Sequence, residues 1–491
     1  MVQGVVTTIS KPDRFNGVYH CCMHPYCLGQ RLDREATISG HKAVVITAWT
    51  AWTLAFGNTM PESYGAVSIR EVDRTILDPC SRSNKAIGFS HEVGLVIGCG
   101  GYHGKRGSKS RMTAQRSIAV QETLSGGMRM LLEGSGDRLR RLRRVLHAGL
   151  QPRVAETYEP IQARNSKNLV LDILNDPKNH QRHAMRYAAS VVMSFTYGKT
   201  TPTSYTDPEI VAVHKSLARL GQAVKPGAYL VDTHGTKKIL PLFNGQLDVV
   251  RRQMVCDFAV LTDVLAHPKQ YQLEDKELAY IAGGMFSAGS DSTASAITVM
   301  MMAATIHTDA QARVQEELDN VVGLPTFGDQ EMLPQVTAFI LESMRWRPVS
   351  LGGFPHCATK DIIWNNYLIP AGAIVIGNHW AIANDPEVFP EPHKFNPQRW
   401  IDDAGRVRDD LRFFTFGFGR RVCPGQHVAN RSIFINTALI LWAFRLSENP
   451  AAKIDTLAFS DAATIHAAPF EICFEKRIDE NLIRELCAPG E

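Results

Sequence analysis

The sequence lacks the features that define the small, specialised protein classes. Its ten cysteines are scattered over 491 residues, with no CxxC pair and no repeating interval. That excludes a small disulfide scaffold and favours reduced thiols in a reducing compartment. Neither sign of charge dominates: Lys and Arg number 53, Asp and Glu 49, for a net charge of +4. This falls short of a nucleic-acid binder's excess, so no nucleic-acid partner is expected. No apolar run reaches the roughly twenty residues needed to cross a bilayer. The nearest, "AVVITAWTAWTLAFG" (Ala43 to Gly57), reads as a buried or interfacial segment. No cleavable signal peptide is evident at the start, and there is no internal repeat. With 44% hydrophobic and 21% charged residues, the remainder is an ordinary globular chain, long enough for one large enzyme domain or several small ones.

Residues 1–130 form an atypical region, rich in Gly, Ser, Thr and Cys and poor in amphipathic patterns. "HCCMHPYC" (His20 to Cys27) has metal-ligand residue types, but they are crowded and no second knuckle follows, so ordinary Cys and His are expected. "LVIGCGGYHG" (Leu95 to Gly104) has His103 where a phosphate loop needs its third glycine, and reads as a Gly-rich turn. From residue 131 the pattern becomes mainly helical. "GDRLRRLRRVLHAGL" predicts a helix with a dense arginine face. "SKNLVLDILNDP", "HAMRYAASVVMSFTYG" and "VHKSLARLGQAV" are helical by spacing. One long pattern runs from Leu273 to Val322, with Asp309 as a candidate N-cap for its second part and Gly323 as a stop. "LPQVTAFILESMRWRP" is a helix closed by Pro348. "DIIWNNYLIPAGAIVIGNHWAI" alternates like short strands around a turn. A Pro-rich coil and a last apolar helix, "HVANRSIFINTALILWAF", follow. The expected fold is mainly α with a small β subdomain.

Three constellations carry chemistry. In "AGGMFSAGSDSTAS", Gly283, Gly284 and Gly289 interrupt an apolar helix, each costing ~1 kcal/mol relative to alanine. The helix must therefore bend or admit something close to its backbone. Asp291, Ser292 and Thr293 follow, and a buried acid needs a partner. The alternative has the hydroxyls bonding back to helix carbonyls, with the acid at the surface. In "ESMR", Glu342 and Arg345 stand at i and i+3, close enough to pair, with Arg399 of "FNPQRW" as a candidate third member. In "FGFGRRVCPG", three glycines (Gly417, Gly419, Gly425) permit a tight loop around Cys423. Arg420 and Arg421 favour a thiolate, as does the helix that starts after Pro424. Cys423 has no second Cys and no His ligand set, which argues against structural zinc. A single axial thiolate ligand to haem iron fits best.

These motifs, in this order, resemble the cytochrome P450 family. "FGFGRRVCPG" matches the haem loop F-x-x-G-x-R-x-C-x-G through Phe416, Gly419, Arg421, Cys423 and Gly425. "ESMR" matches E-x-x-R, "FNPQRW" resembles the segment that supplies the third member, and "AGSDST" resembles the oxygen-groove motif. "RWRPVSLGGFPHCATKD" and "IPAGAIVIGNHWAIANDPEVFP" resemble the fungal microsomal branch of secondary-metabolite oxidases. The likeness covers roughly residues 136–475.

The resemblance implies the cytochrome P450 fold and a haem held by Cys423, whose electron donation favours O–O cleavage. It implies electrons from NADPH through a partner reductase, O2 bound in the groove at Ala288 and Gly289, and proton relay by Asp291 with Ser292 or Thr293. It also implies haem propionates paired with Arg421, Arg143 and His356. The expected substrate is a lipophilic small molecule, a terpenoid, polyketide or aromatic compound, with Phe286, Ala288, Leu351, Phe354 and Ile465 as pocket candidates. The arginine face from Arg138 to Arg144 suits an acidic reductase surface. The family's microsomal members sit on the cytosolic face of the endoplasmic reticulum membrane. Three departures stand out. Ser292 replaces the usual threonine. Leu139 replaces a tryptophan of the arginine-rich helix. The first 130 residues lack the expected anchor, Pro-rich hinge and first substrate-contact loop. Two competing readings are a haem-binding protein without turnover and a haem-thiolate isomerase or dehydratase, which would not need the acid–alcohol pair.

Overall fold

The computed structural model describes residues 127–199, 268–320 and 323–488, apart from isolated positions within the last stretch, together with positions 207, 208 and 211; before residue 127 it describes seven short strands. The side chains of the His20–Cys27 tract, the Ala43–Gly57 segment and the helix expected at "VHKSLARLGQAV" lie outside the described residues.

The chain forms two compact units, and they do not follow the expected boundary near residue 130. One combines Met1–Arg116 with Gly352–Pro390; the other combines Ser117–Leu351 with Glu391–Glu491. The first takes in the later segment because its sheet pairs strands distant in sequence. Ile374–Ile376 runs parallel to Gly94–Ile97 and antiparallel to His356–Ala358, which in turn pairs with Met112–Thr113. Thus Gly94–Ile97 is a strand, and the strands expected after Ser350 are present at Ile362–Trp364, Tyr367–Ile369 and Ile374–Ile376.

The larger unit is helical. Its main helices are α1 (Asp137–Leu150), α2 (Glu159–Asn175), α3 (His180–Tyr197), α4 (Asp275–Ile306), α5 (Thr308–Asp319), α6 (Pro334–Trp346), α7 (Gln426–Ala443) and α8 (Glu480–Cys487). An antiparallel strand pair, Phe444–Glu448 with Ile472–Lys476, accompanies them. The two-part pattern from Leu273 to Val322 divides at His307, where the backbone leaves helical angles. Asp309 therefore lies in the first turn of α5 rather than capping it, and α5 ends at Asp319, short of Gly323. α3 stops at Gly198, whose φ of 68° is the left-handed conformation that glycine adopts without steric cost. α6 ends at Trp346, ahead of Pro348.

α4 is buried on nearly every side, which explains why it reads as apolar all round. Gly289 accounts for one contact: a Cβ there would lie 2.9 Å from Val192 Cγ2 of α3. The two helices pack as closely as they do because this residue has no side chain. Where α5 and α7 meet the strand pair, buried glutamines satisfy the main chain. Gln311 donates to the carbonyls of Ala304 and Leu446 and accepts from Leu446 N–H, while Gln315 donates to Leu441 and Phe444. No helix among the described residues is long and apolar enough to cross a membrane.

Candidate active site

The loop before α7 is built around Cys423. Gly417 and Gly419 take φ values of 79° and 58°, a backbone that L side chains rarely adopt. They reverse the chain so that Cys423 N–H donates to Phe416 carbonyl at 2.8 Å. Gly425 has an ordinary φ of −86°; its contribution is proximity, since a Cβ there would lie 3.9 Å from Cys423 Sγ. The half-buried thiol receives hydrogen bonds from the backbone amides of Gly425 and Gln426.

The electrostatics differ from the sequence expectation. Burial pushes the Cys423 thiol up from its ordinary value, opposed by the two amides and by the guanidinium of Arg143. Arg420 is exposed, and Arg421 donates to the Glu133 carbonyl at 2.8 Å instead of serving the sulfur. The cation that acts on Cys423 comes from α1, and it is anchored by a 2.9 Å bond from Arg143 Nη2 to the Val422 carbonyl. Burial lowers the pKa of both half-buried arginines, and repulsion from Arg143 lowers that of Arg421 further.

This donor set fits a haem. The sulfur has amide donors on the side of α7, as a thiolate ligand needs. Two mutually repelling guanidiniums beside the loop are suited to a dianionic partner such as a pair of propionates. After its first turn and before its last residue, the residues of α4 that are not buried are Gly284, Ala288, Gly289 and Ser292. Gly284, Ala288 and Ser292 are spaced by four and line one stripe of small residues, so a flat group can approach the backbone there.

The acid and alcohol of α4 point to different places. Ser292 Oγ donates to the Ala288 carbonyl at 2.7 Å on the less buried stripe. Asp291 is buried and accepts from His466 Nε2 at 3.0 Å. Of the two alternatives left open by the sequence, the hydroxyl does bond back to its helix, but the acid is inside and paired. Thr293 is buried. His466 gave no sequence signal, because it stands in the irregular stretch before the last strand.

Glu342, Arg345 and Arg399 come together. Arg345 donates to both carboxylate oxygens of Glu342 at 2.8 Å, and Arg399 Nε lies 3.2 Å away. Two further donors were not expected: Trp400 Nε1 at 2.9 Å and the Asn396 backbone amide at 2.8 Å. Glu342 and Arg345 are fully buried.

Other expected residues fall elsewhere. Phe286 lies two residues before Ala288, on the opposite face of α4. It is buried edge-on against Tyr197, so it is part of the α3–α4 packing. Ile465 is buried; its carbonyl accepts from Ser295 Oγ at 2.5 Å and its amide donates to Val349. Leu351 packs at the edge of the core. Phe354 and His356 belong to the smaller unit, the former exposed and the latter on its sheet. The arginine face of α1 is largely engaged. Arg138 and Arg141 hold the buried Glu277 at 2.9 Å, and Arg143 turns inward, which leaves Arg140 and Arg144 outside.

The arrangement fits a haem-thiolate site, and the comparisons point to the same family. The family model for cytochrome P450 matches residues 235–474. Cytochrome P450 monooxygenase 64 of Postia placenta is 52% identical over 389 residues, covering 74% of this chain and 78% of that one. A cytochrome P450 monooxygenase of Armillaria gallica is 34% identical over 364 residues, covering 67% and 70%. In fold, the larger likeness extends to a solved zebrafish cytochrome P450, recorded with abiraterone, at TM-score 0.66 and 20% identity over 80% of this chain and 95% of that one. The chain belongs to the cytochrome P450 family and is a monooxygenase. The family implies a haem with thiolate ligation, with O2 and a small molecule as reactants.

Proposed function

We propose that this monooxygenase hydroxylates or otherwise oxidises a lipophilic small molecule of the terpenoid, polyketide or aromatic class, with electrons passed from NADPH by a partner reductase. The observation that carries the reading is the Cys423 loop: one thiol with two backbone amides on its sulfur and Arg143 anchored beside it. Cys423 would hold the haem iron through its thiolate, and Arg143 and Arg421 would hold its propionates. When bound, the haem supplies activation of O2 for transfer of one oxygen atom to a C–H bond.

The chain's own residues do the rest. The amides of Gly425 and Gln426 stabilise negative charge on sulfur and set its donor strength. The small residues Gly284 and Ala288 keep one stripe of α4 low enough for O2 and substrate. Ser292, its proton committed to the Ala288 carbonyl, presents oxygen lone pairs to that stripe and can accept a hydrogen bond there. Asp291, the neighbouring acid, is the group that passes protons toward that stripe. Glu342, Arg345 and Arg399 fix the segment that leads to the Cys423 loop. For reductase docking the reading narrows to Arg140 and Arg144, since the other arginines of α1 are bound internally.

The test is the absorption spectrum of the dithionite-reduced protein with carbon monoxide, beside Cys423→Ala. A strongly red-shifted Soret band in the wild type, lost in the variant, is expected. An unshifted band in the wild type would reject Cys423 as a thiolate ligand. Turnover with NADPH and a reductase on a panel of terpenoid, polyketide and aromatic compounds then tests the substrate class.

A further inference from the structure

Asp291 has a partner that the motif does not specify, and the chemistry of that partner matters. A Lys or Arg would keep the carboxylate in a permanent ion pair. The His466 imidazole has two ring nitrogens, so it can take a proton on one and give one up from the other. Its Nε2 lies 3.0 Å from Asp291 Oδ1. A carboxylate only accepts, so Nε2 carries the proton in that bond and Nδ1 is left as the acceptor. The exposures run in sequence: the His466 side chain is 31% exposed and the Asp291 side chain 10%. The imidazole therefore stands between solvent and a buried acid whose neighbour, Ser292, is on the open stripe of α4.

The stretch that carries His466 is tied down on both sides. Its amide donates to Ser460 Oγ at 2.9 Å and its carbonyl accepts from Ser460 N–H at 2.8 Å. Ile465 is bonded to Ser295 Oγ through its carbonyl and to the Val349 carbonyl through its amide. Ser295 is one turn beyond Asp291, so α4 grips this stretch twice along one face. A histidine at the tip of a loose loop would not keep register with a carboxylate; this one is held from four directions.

We infer that His466 is the positioning residue that feeds protons from solvent to Asp291, and so sets how efficiently O2 reduction is coupled to product formation. The inference rests on the monooxygenase reading. The step moves one proton and no electrons. A solvent proton adds to Nδ1 and the Nε2 proton passes to Asp291 Oδ1; once Asp291 has handed that proton on, exchange with solvent moves the imidazole proton from Nδ1 back to Nε2 and restores the starting contact.

The experiment compares wild type, His466→Gln and His466→Ala as holoenzymes that each show the red-shifted carbon monoxide band. Product formed per NADPH consumed and peroxide released are measured with the same substrate, whose affinity is read from its spectral shift. Glutamine keeps a donor for Asp291 but cannot pass a proton on. Both variants are expected to lose coupling at least about fivefold, with substrate affinity held within about twofold and the solvent deuterium effect altered. If the glutamine variant couples as well as wild type and the alanine variant alone fails, His466 only props Asp291 and the proposal falls. If both couple normally, it falls outright. A second readout needs no turnover: exchange of the His466 imidazole C2 hydrogen for deuterium, followed by mass spectrometry, in wild type and Asp291→Asn. The rate at His466 should change several-fold in the variant while that at the remote His180 does not; no change would show that the pair does not form in solution. A wild type without the red-shifted band would instead reject the haem-thiolate reading, while the exchange measurement would still report on the pair.

Discussion

Glu342 and Asp291 are two carboxylates buried in the same helical unit, and they are kept there by opposite means. Glu342 is surrounded by donors: two from Arg345, one from Arg399, one from the Trp400 indole and one from the Asn396 amide. Two of its partners are cations that do not deprotonate. These bonds fix the position of the carboxylate. Asp291 is held by the partly exposed imidazole of His466. The contrast separates a carboxylate that holds the fold from one proposed to take part in chemistry. The amount of burial does not distinguish them; the kind of donor does.

The largest effect should come from breaking the first of these. Glu342→Ala removes the carboxylate that Arg345 and Arg399 share in the interior, which costs about 3–5 kcal/mol. Urea or thermal unfolding of the variant should show that loss, with the Cys423 loop failing to retain haem. Asp291→Asn should cost far less stability, because the half-exposed His466 can turn to water. If the two variants were equally destabilised, the distinction between a structural and a working carboxylate would fail.

The second test uses α4, which carries both kinds of surface. Gly289→Ala places a Cβ 2.9 Å from Val192 Cγ2 and should cost about 1–3 kcal/mol by overpacking. Val192→Ala in the same chain should recover a good part of it, and a double-mutant cycle reads the coupling. Gly284→Ala meets nothing within 4 Å and should leave stability unchanged or raise it by up to ~1 kcal/mol, as alanine is the better helix former. A Gly289→Ala protein as stable as wild type would mean the α3–α4 approach is looser than it stands.

What could be read from the sequence follows the same division. The Cys423 loop and the E-x-x-R pair were legible because each is local: a few residues whose spacing alone brings them together. Gly289 was visible as an anomaly in an apolar helix, but which neighbour required it depends on α3, ninety-odd residues earlier. The Glu342 shell was only partly foreseen, because an indole and a backbone amide from the Pro-rich coil leave no pattern. Phe286 was misplaced for a related reason: apolar residues near a cofactor motif serve the core as readily as the pocket, and only the helix phase tells them apart. His466 was invisible, lying in irregular chain with no periodicity to mark it. The thiol's electrostatics were misjudged because Arg143, from another helix, faces the sulfur while Arg420 and Arg421 do not.

The smallest expected effect at neutral pH concerns a buried histidine, His180, which sharpens what is special about His466. Among the described residues no acid pairs with His180. It is buried at the start of α3 against Phe470 and Phe474, with Nδ1 on the Pro177 carbonyl at 3.2 Å. Burial lowers its pKa from 6.5 to about 4. His307, stacked on Phe395, is lowered to about 4 by burial and by the nearby Arg347. A histidine with a depressed folded-state pKa is neutral in the native protein while the unfolded chain takes up a proton. Between pH 6.5 and about 4 the unfolded state binds more protons, so stability must fall as the pH falls through that window. Above it the two residues contribute no slope. His180→Phe should lose about 1 kcal/mol near neutral pH through the missing Pro177 bond, and the drop in stability on going from pH 7 to pH 5 should shrink to roughly half. Melting temperatures across that range measure it directly. An unchanged slope would mean that His180 is hydrated in solution and titrates normally. A steeper slope in the variant would reverse the sign of the linkage and place the acid sensitivity on other groups.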